Sequence, residues 1–550
     1  MAEVVIEQNK IIIKTHFHER IKVAAIPGGR WNAGKKCWIY PATPAVAEAV
    51  AEAFNGSDSI LGELLTKARR RREAAQQIMR SHGSPPEYVH VTEPWAHQVD
   101  ATRYVIALDA AMLHCHMGTG KTKITLDSCA ELGDRTILVI CPRSVIDVWH
   151  DELEKHQPGK WAFLPLREHS VKQRADELRQ ALSRGRELLV VVNYEAAWRE
   201  PLASAILAGK WDCVAFDESH RIKAPGSKQS RFAARINAHR RLALTGTPMP
   251  HSPLDLYGQF RALDPGIFGT RFAMFRARYA VMGGFENRQV LKFQRQEELR
   301  ERMDKICWHV PKSVLDLPPI QTIDRECLLD GEAALAYQQM EKYFIAEIDA
   351  GLVTASNALA KMLRLQQIAA GFLPVDDGIE RVGSQKADLL VELIEGIGTD
   401  ERIVVFCRFR ADLALVHEIA EKLGRSCGEI SGSAHDYRRW KDGEFDTLAV
   451  QIQAGGLGVD LTEASYAIYY TLGFSLGDYL QSVARLHRPG QKNPVIVYRL
   501  LAKGTIDVRI VRALSKRHAI VSAILDEINQ ETKNEGAFQE ATNDDHRHID

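Results

Sequence analysis

A run of six residues, Met117-Gly118-Thr119-Gly120-Lys121-Thr122, stands between an apolar stretch and a segment of helical periodicity. A glycine turn in that setting fixes a strand–turn–helix unit, the building block of a parallel sheet. Its closing Gly-Lys-Thr is that of a phosphate-binding loop. In such a loop the backbone N–H groups at the helix N-terminus point at phosphates, a lysine ammonium reaches the β and γ phosphates, and a threonine hydroxyl ligates Mg²⁺. Met117 to Thr122 are therefore expected to bind a nucleoside triphosphate, with Lys121 at the chemistry and Thr122 on the metal. The strict pattern has glycine at position 115, where this chain has Cys115. A glycine-rich turn with no catalytic role fits the six residues too, and the decision falls to what lies downstream.

The run Trp211 to Phe216 reads as a buried strand and leads into Asp217-Glu218-Ser219-His220. The C-terminal ends of strands are where open α/β sheets place ligands. One carboxylate there can hold the Mg²⁺ that bridges the phosphates, and the next can orient or deprotonate the attacking water. Arg241 to Leu244 is a further apolar strand, ending in Thr245-Gly246-Thr247-Pro248. Much later Gln481-Ser482-Val483-Ala484-Arg485-Leu486-His487-Arg488 reads as helical, with Arg485 and Arg488 three residues apart on one face. Arginines so spaced can meet one phosphate group.

In this order the segments resemble motifs I, II, III and VI of superfamily II helicases. Cys141-Pro142-Arg143, Asn193-Tyr194-Glu195 and Val404-Val405-Phe406-Cys407 resemble motifs Ia, Ib and IV. Within the superfamily the chain most resembles the SWI/SNF-like ATPases. That resemblance is carried by Ala454 to Thr462, Arg488-Pro489-Gly490-Gln491-Lys492, Val497 to Leu500 with Lys503-Gly504-Thr505, and Leu263-Asp264-Pro265-Gly266-Ile267-Phe268-Gly269. It spans roughly Glu93 to Arg512. It implies ATP and Mg²⁺ as cofactors and double-stranded or forked DNA as partner. It also implies Lys121, Asp217, Glu218, Arg485 and Arg488 as catalytic residues, Thr122 and Asp217 as metal ligands, and Gln481 at the nucleotide. Gln98, in Glu93-Pro94-Trp95-Ala96-His97-Gln98, occupies the place of the adenine-reading Q motif and can offer a donor and an acceptor to the base.

Three departures limit the resemblance. Cys115-His116 replace the usual acidic pair, Pro250-His251 the usual Gln-Asn, and Asp460 the usual asparagine. None removes a residue needed for hydrolysis. They argue against a eukaryotic chromatin-remodeler group, and no histone-reading segment is evident.

The 550 residues have room for two or three domains. No apolar run reaches the length of a membrane span, and the N-terminus does not read as a secretion signal, so a cytoplasmic protein without membrane contact is expected. Nine cysteines without a Cys-x-x-Cys pair oppose a zinc ribbon or a disulfide framework. Formal net charge is zero, so a phosphate-binding surface must be local. Arg69-Arg70-Arg71-Arg72 is the densest basic run; a solvated helix face and a DNA contact both account for it.

The expected fold class is α/β: two RecA-like parallel-sheet lobes with helical insertions and a small N-terminal α+β module. Residues 1–53 form the module, 54–90 a helical linker, 91–265 the first lobe, 266–385 helical protrusions, 386–512 the second lobe, 513–530 a C-terminal helix and 531–550 a disordered tail. Val4 to Ile13 suggests a hairpin. With Gly29-Arg30-Trp31, Trp38 and Pro41 it resembles the HARP-type module beside the motor of annealing helicases, although Trp31 and Trp38 serve equally as the core of a small sheet. In the protrusions Tyr337, Met340, Tyr343, Leu359, Met362 and Leu363 are expected in the core.

The expected function is an ATP-dependent double-stranded DNA translocase, extended by the HARP-like module towards fork remodelling or strand annealing in replication, recombination or repair. Arg485 and Arg488, as arginine fingers, would contribute ~10³ to 10⁵ in rate, roughly 4 to 7 kcal/mol of barrier. An RNA-directed helicase shares several of these motifs, and a motor subunit that displaces proteins from DNA stays open because protein partners leave no trace in the chain.

Overall fold

The computed structural model describes residues 2–7, 10–26, 28–54, 58–80, 90–167, 170–250, 252–284, 289–349, 355–375, 378–452 and 459–516. His251, Ala454 to Gly458, most of the expected C-terminal helix and the expected tail lie outside them. Contacts divide the chain into two compact units, one within Met1–Val314 and one within Leu315–Ser522.

The first unit opens with the expected hairpin, β1 (Glu3–Glu7) against β2 (Lys10–Lys14). With β3 (Arg30–Asn32) and β4 (Cys37–Pro41) it forms an antiparallel sheet in the order β1-β2-β4-β3. Alternation within β2 sends Ile11 and Ile13 inward. There they meet Val46 and Val50 of the helix Pro44–Ala53, whose first turn is closed by the Thr43 side chain accepting from the Val46 N–H. The Tyr40 hydroxyl, buried, donates to the Val23 carbonyl at 2.6 Å. This helix rests on the short turn Pro265–Phe268: a Cβ at Gly266 would lie 2.5 Å from Thr43 Oγ1 and 2.8 Å from Val46 Cγ2. The helix Asp58–Arg80 follows, with Arg69 and Arg70 exposed; the Arg71 and Arg72 side chains lie outside the described residues.

The rest of this unit is a seven-stranded, wholly parallel sheet. Its strands are β5 (Ala110–Cys115), β6 (Thr136–Cys141), β7 (Ala162–Leu166), β8 (Leu188–Asn193), β9 (Trp211–Asp217) and β10 (Ala238–Thr245), followed in the chain by the hairpin β11 (Ala280–Gly283) and β12 (Gln289–Phe293) and then by β13 (Cys307–Val310), which rejoins the sheet. The order is β13-β5-β10-β9-β6-β8-β7. Period-two alternation divides each strand between two cores. Ile137, Val139, Leu189, Val191, Cys213 and Ala215 pack on one face, and Leu138, Ile140, Val190, Val192, Val214 and Phe216 on the other. Strands buried on both faces read as continuous apolar runs, which is why they were legible.

The second unit holds a six-stranded parallel sheet. In chain order its members are β14 (Ile320–Cys327), then, after the separate hairpin β15 (Phe372–Val375) and β16 (Gly378–Arg381), β17 (Ile403–Cys407), β18 (Cys427–Ile430), β19 (Thr447–Gln451), β20 (Tyr466–Tyr469) and β21 (Val495–Ala502). The sheet order is β14-β21-β20-β17-β19-β18. Among the described residues no helix is long and apolar enough to cross a membrane.

Two readings of periodicity need correction. The stretch 266–385, expected as helical protrusions, is not helical throughout: β11 and β12 form a hairpin, and β13 and β14 are edge strands of the two large sheets. Edge strands are covered on fewer sides, and β14 (IQTIDREC) is half exposed along its length, so no apolar run announced it. Of the expected core positions Tyr337 is buried, whereas Tyr343 is exposed with the Lys361 ammonium 4.5 Å from its ring centroid. Met340 and Met362 pack half-buried against the same core, and Leu365, Ile368 and Ala369 complete it; the Leu359 side chain lies outside the described residues.

Candidate active site

The C-terminal edge of the seven-stranded sheet gathers the first set of expected residues. β5 ends at Cys115, whose side chain is fully buried in the sheet core, and burial pushes its thiol up to about 12. The departure from glycine at this position is thus absorbed below the loop. Above it the chain turns through Gly118 (φ 83°) and Gly120 (φ 87°), both in the left-handed region that favours glycine. A Cβ at Gly120 would also lie 2.3 Å from Gln98 Nε2.

The helix Lys121–Glu131 then starts with no side-chain cap and no acidic residue in its first turn. Its N–H groups and the positive end of its dipole are left for an external anion. Lys121 Nζ donates to the Cys115 carbonyl at 3.1 Å, folded back over the loop. Thr122 is the second helical residue, half-buried at the same mouth.

Gln98 sits differently from the expectation of an adenine reader. It is buried; Nε2 donates to the Thr119 carbonyl at 3.1 Å and Oε1 accepts the Trp95 N–H at 3.0 Å. His97 Nε2 donates to the same Thr119 carbonyl at 3.0 Å. The amide therefore braces the loop from beneath.

β10 lies between β5 and β9, so the loop after β10 separates the glycine loop from Asp217 and Glu218 at the end of β9. Asp217 is buried, and burial with the neighbouring charge of Glu218 pushes its carboxyl up to about 6. Its Oδ2 accepts the Trp149 indole N–H at 3.0 Å and its Oδ1 the Glu218 N–H at 2.9 Å. The Tyr194 hydroxyl donates to its carbonyl at 2.8 Å. Glu218 takes φ 51°, ψ 53°, a left-handed conformation rare outside glycine and costly enough to require support from its surroundings. Glu218 Oε2 stands 3.3 Å from His220 Nδ1, and His220 Nδ1 3.4 Å from Thr245 Oγ1.

Several residues around this edge escaped the sequence reading. Trp149 looks like any core aromatic. Gln259, fully buried on the helix Leu256–Leu263, accepts from Ser219 Oγ at 2.7 Å and donates to the Pro248 carbonyl at 2.7 Å. His114 Nδ1 on β5 and His309 Nδ1 on β13 are 2.9 Å apart. Burial, then the charges of His309, Lys121 and His116, hold His114 well below the usual imidazole range. Only a polar residue inside an otherwise apolar run hinted at this pair.

The second set lies in the second unit. The helix Leu476–Leu486 carries Gln481 and Arg485, both half-buried. The helix ends at Leu486, with His487 as C-cap, so Arg485 and Arg488 do not share a helix face as expected. Pro489 is the reason: the residue before proline is disfavoured in the α region, which places Arg488 in the turn beyond the cap. The Leu461 N–H donates to the Arg485 carbonyl at 3.0 Å, tying this helix end to the segment after Val459.

A family model described as SNF2-related domain matches residues 65–370, and one described as Helicase conserved C-terminal domain matches residues 385–490. The chain is similar to the DNA repair and recombination protein RDH54 of Saccharomyces cerevisiae, at 24% identity over 78% of this chain and 53% of the relative. It is also similar to the Chromodomain-helicase-DNA-binding protein 1-like of Mus musculus, at 25% identity over 82% of this chain and 53% of the relative. The chain thus spans about half the length of these curated relatives. Among solved structures, the Sulfolobus solfataricus SWI2/SNF2 ATPase core in complex with dsDNA matches with a TM-score of 0.39 and 23% identity, covering 80% of this chain and 95% of that one.

Proposed function

The chain belongs to the SNF2-related family, and from that membership we propose that it is an ATP-hydrolysing motor that moves on or remodels double-stranded DNA. The observation that carries the proposal is the pairing, along one sheet edge, of an uncapped helix N-terminus behind Gly118, Gly120 and Lys121 with the carboxylates of Asp217 and Glu218. The first part receives phosphates. The second supplies what hydrolysis needs next to them.

In this reading the N–H groups at the start of the helix Lys121–Glu131 hold the phosphates, and Lys121 exchanges the Cys115 carbonyl for a phosphate oxygen. Asp217 and Thr122 offer the oxygen donors a hard divalent cation takes, and Asp217 is a buried carboxylate whose two oxygens each accept from a neutral N–H group. Mg²⁺ held by these two residues would offset phosphate charge. Glu218, next to Asp217 and left-handed in its backbone, orients or deprotonates the attacking water. Arg485 and Arg488 carry the guanidinium charge that an arginine finger brings to a transferred phosphoryl group. Contacts to DNA go to phosphates, because a motor that steps along any sequence cannot depend on base edges.

The test is the steady-state ATPase rate of the protein, and of its Lys121→Ala and Glu218→Gln variants, without nucleic acid and with single-stranded, duplex or forked DNA or RNA at one fixed salt. Duplex DNA is expected to stimulate the wild type strongly, and both variants to lose turnover while keeping the wild-type melting temperature. Undiminished turnover in Lys121→Ala sinks the assignment, and stimulation by RNA alone moves the enzyme to the RNA-directed class. A role at forks is the finer reading. It is supported by the exposed Arg30, Trp31, Lys35 and Lys36 of the N-terminal sheet, with the Arg20 guanidinium 5.6 Å from the Trp31 ring. Alanine at Arg30, Trp31 and Lys35 should then lower stimulation by forks and leave stimulation by linear duplex intact; an equal fall on both substrates rules this reading out.

A further inference from the structure

We infer that Gln259 is a positioning residue for hydrolysis, holding the loop behind the catalytic carboxylates in register with the loop that follows β10. The inference rests on the reading of Asp217 and Glu218 given above.

Two loops meet at this one amide. Ser219, directly after Glu218, is fully buried and its Oγ donates to Gln259 Oε1 at 2.7 Å. Gln259 Nε2 donates to the Pro248 carbonyl at 2.7 Å and to the Asp255 carbonyl of its own helix at 2.9 Å. Both N–H groups and the carbonyl of the amide are thereby used inside the protein, in a place water does not reach. Pro248 closes Thr245-Gly246-Thr247-Pro248, the loop that lies between the glycine loop and the carboxylates.

The backbone makes the arrangement stiff. At Gly258, the neighbour of Gln259, a Cβ would stand 2.2 Å from the Ile222 carbonyl oxygen and 2.5 Å from that of Lys223. The helix Leu256–Leu263 thus lies backbone to backbone against the short turn Ser219–Ile222. Glu218 needs such support because its left-handed conformation persists only where its surroundings over-determine it. A further link between the same loops, His220 to Thr245, is half-buried and 3.4 Å long. Gln259 is the shorter and drier of the two. A change in the loop after β10 is accordingly passed to the residue next to Glu218 by one hydrogen-bonded side chain.

A buried glutamine that only fills space would, when replaced, lower stability and leave the chemistry alone. Replacing a positioning residue also lowers kcat in the protein that stays folded. The experiment uses the full chain and compares wild type, Gln259→Leu, Gln259→Glu, Ser219→Ala and Ser219→Ala/Gln259→Leu for kcat and KM of ATP on duplex DNA, affinity for a fluorescent ADP analogue, and melting temperature. For Gln259→Leu, kcat should fall about 10- to 100-fold, the cost of a small misplacement of a reacting group, with ADP affinity within about twofold. Gln259→Glu keeps the acceptor for Ser219 and removes the donor to Pro248, and should fall between wild type and Gln259→Leu. The double variant should be no slower than Gln259→Leu alone, because both changes break the same link.

If Gln259→Leu does not fold, Ser219→Ala carries the same expectation with only one oxygen removed. The inference is overturned if kcat stays within about twofold of wild type, if ADP affinity falls in parallel with kcat, or if the two single losses multiply in the double variant. A wild type with no duplex-stimulated ATPase would instead sink the proposed function itself, so the two failures are distinguishable.

Discussion

Trp149 is fully buried, and its indole N–H donates to Asp217 Oδ2 at 3.0 Å, from the helix Ile146–His156 to the end of β9. The bond favours the ionised form of a carboxyl that burial has pushed up to about 6. It also fixes which way the carboxylate faces.

Trp149→Phe keeps the aromatic volume and removes that donor. In the proposed role of Asp217 as a Mg²⁺ ligand, the Mg²⁺ concentration for half-maximal ATPase should rise about 10-fold or more, the usual cost of losing a group that orients a metal ligand. Magnesium titration of the variant checks this, and an unchanged midpoint would show that the indole only fills space.

Gln98 distinguishes a brace from a base reader. Because its amide is engaged with Thr119 and Trp95, Gln98→Leu should weaken ATP and GTP alike, by about tenfold for a loss on the order of 1 to 2 kcal/mol. A loss confined to ATP in competition binding would restore the adenine-reading role.

The His114–His309 pair predicts a pH effect of definite sign. His114 is held neutral in the folded protein, so below its ordinary value of 6.5 the unfolded chain binds more protons and stability falls as pH falls. Its contribution is fully present above that value, and the loss is at most about 1.4 kcal/mol per pH unit. Melting temperatures of wild type and His114→Gln between pH 7.5 and 5.5 test this: the variant should show the shallower fall.

In the proposed role of Arg488 as an arginine finger, Arg488→Ala should reduce kcat by about 10³-fold or more while nucleotide affinity changes little. Equal losses of hydrolysis and of ATP-analogue binding would assign Arg488 to ground-state binding instead.

What the sequence determined was the set of buried strands and the residue types at their ends. β5, β6, β8 and β9 are buried on both faces and had to be written as apolar runs, and the residues following β5, β9 and β10 had to be glycines, carboxylates and threonines at fixed spacing. Local pattern suffices there because burial and turn geometry are local demands. Tertiary structure decided the rest. It turned Gln98 under the loop, gave Asp217 the indole of Trp149, and joined Ser219 to Pro248 through Gln259, partners distant in the chain whose residue types carry no periodic signal. It also made strands of β13 and β14, because an edge strand is defined by the neighbour it pairs with, and that neighbour lies 195 residues away in the chain for β13 and 175 for β14.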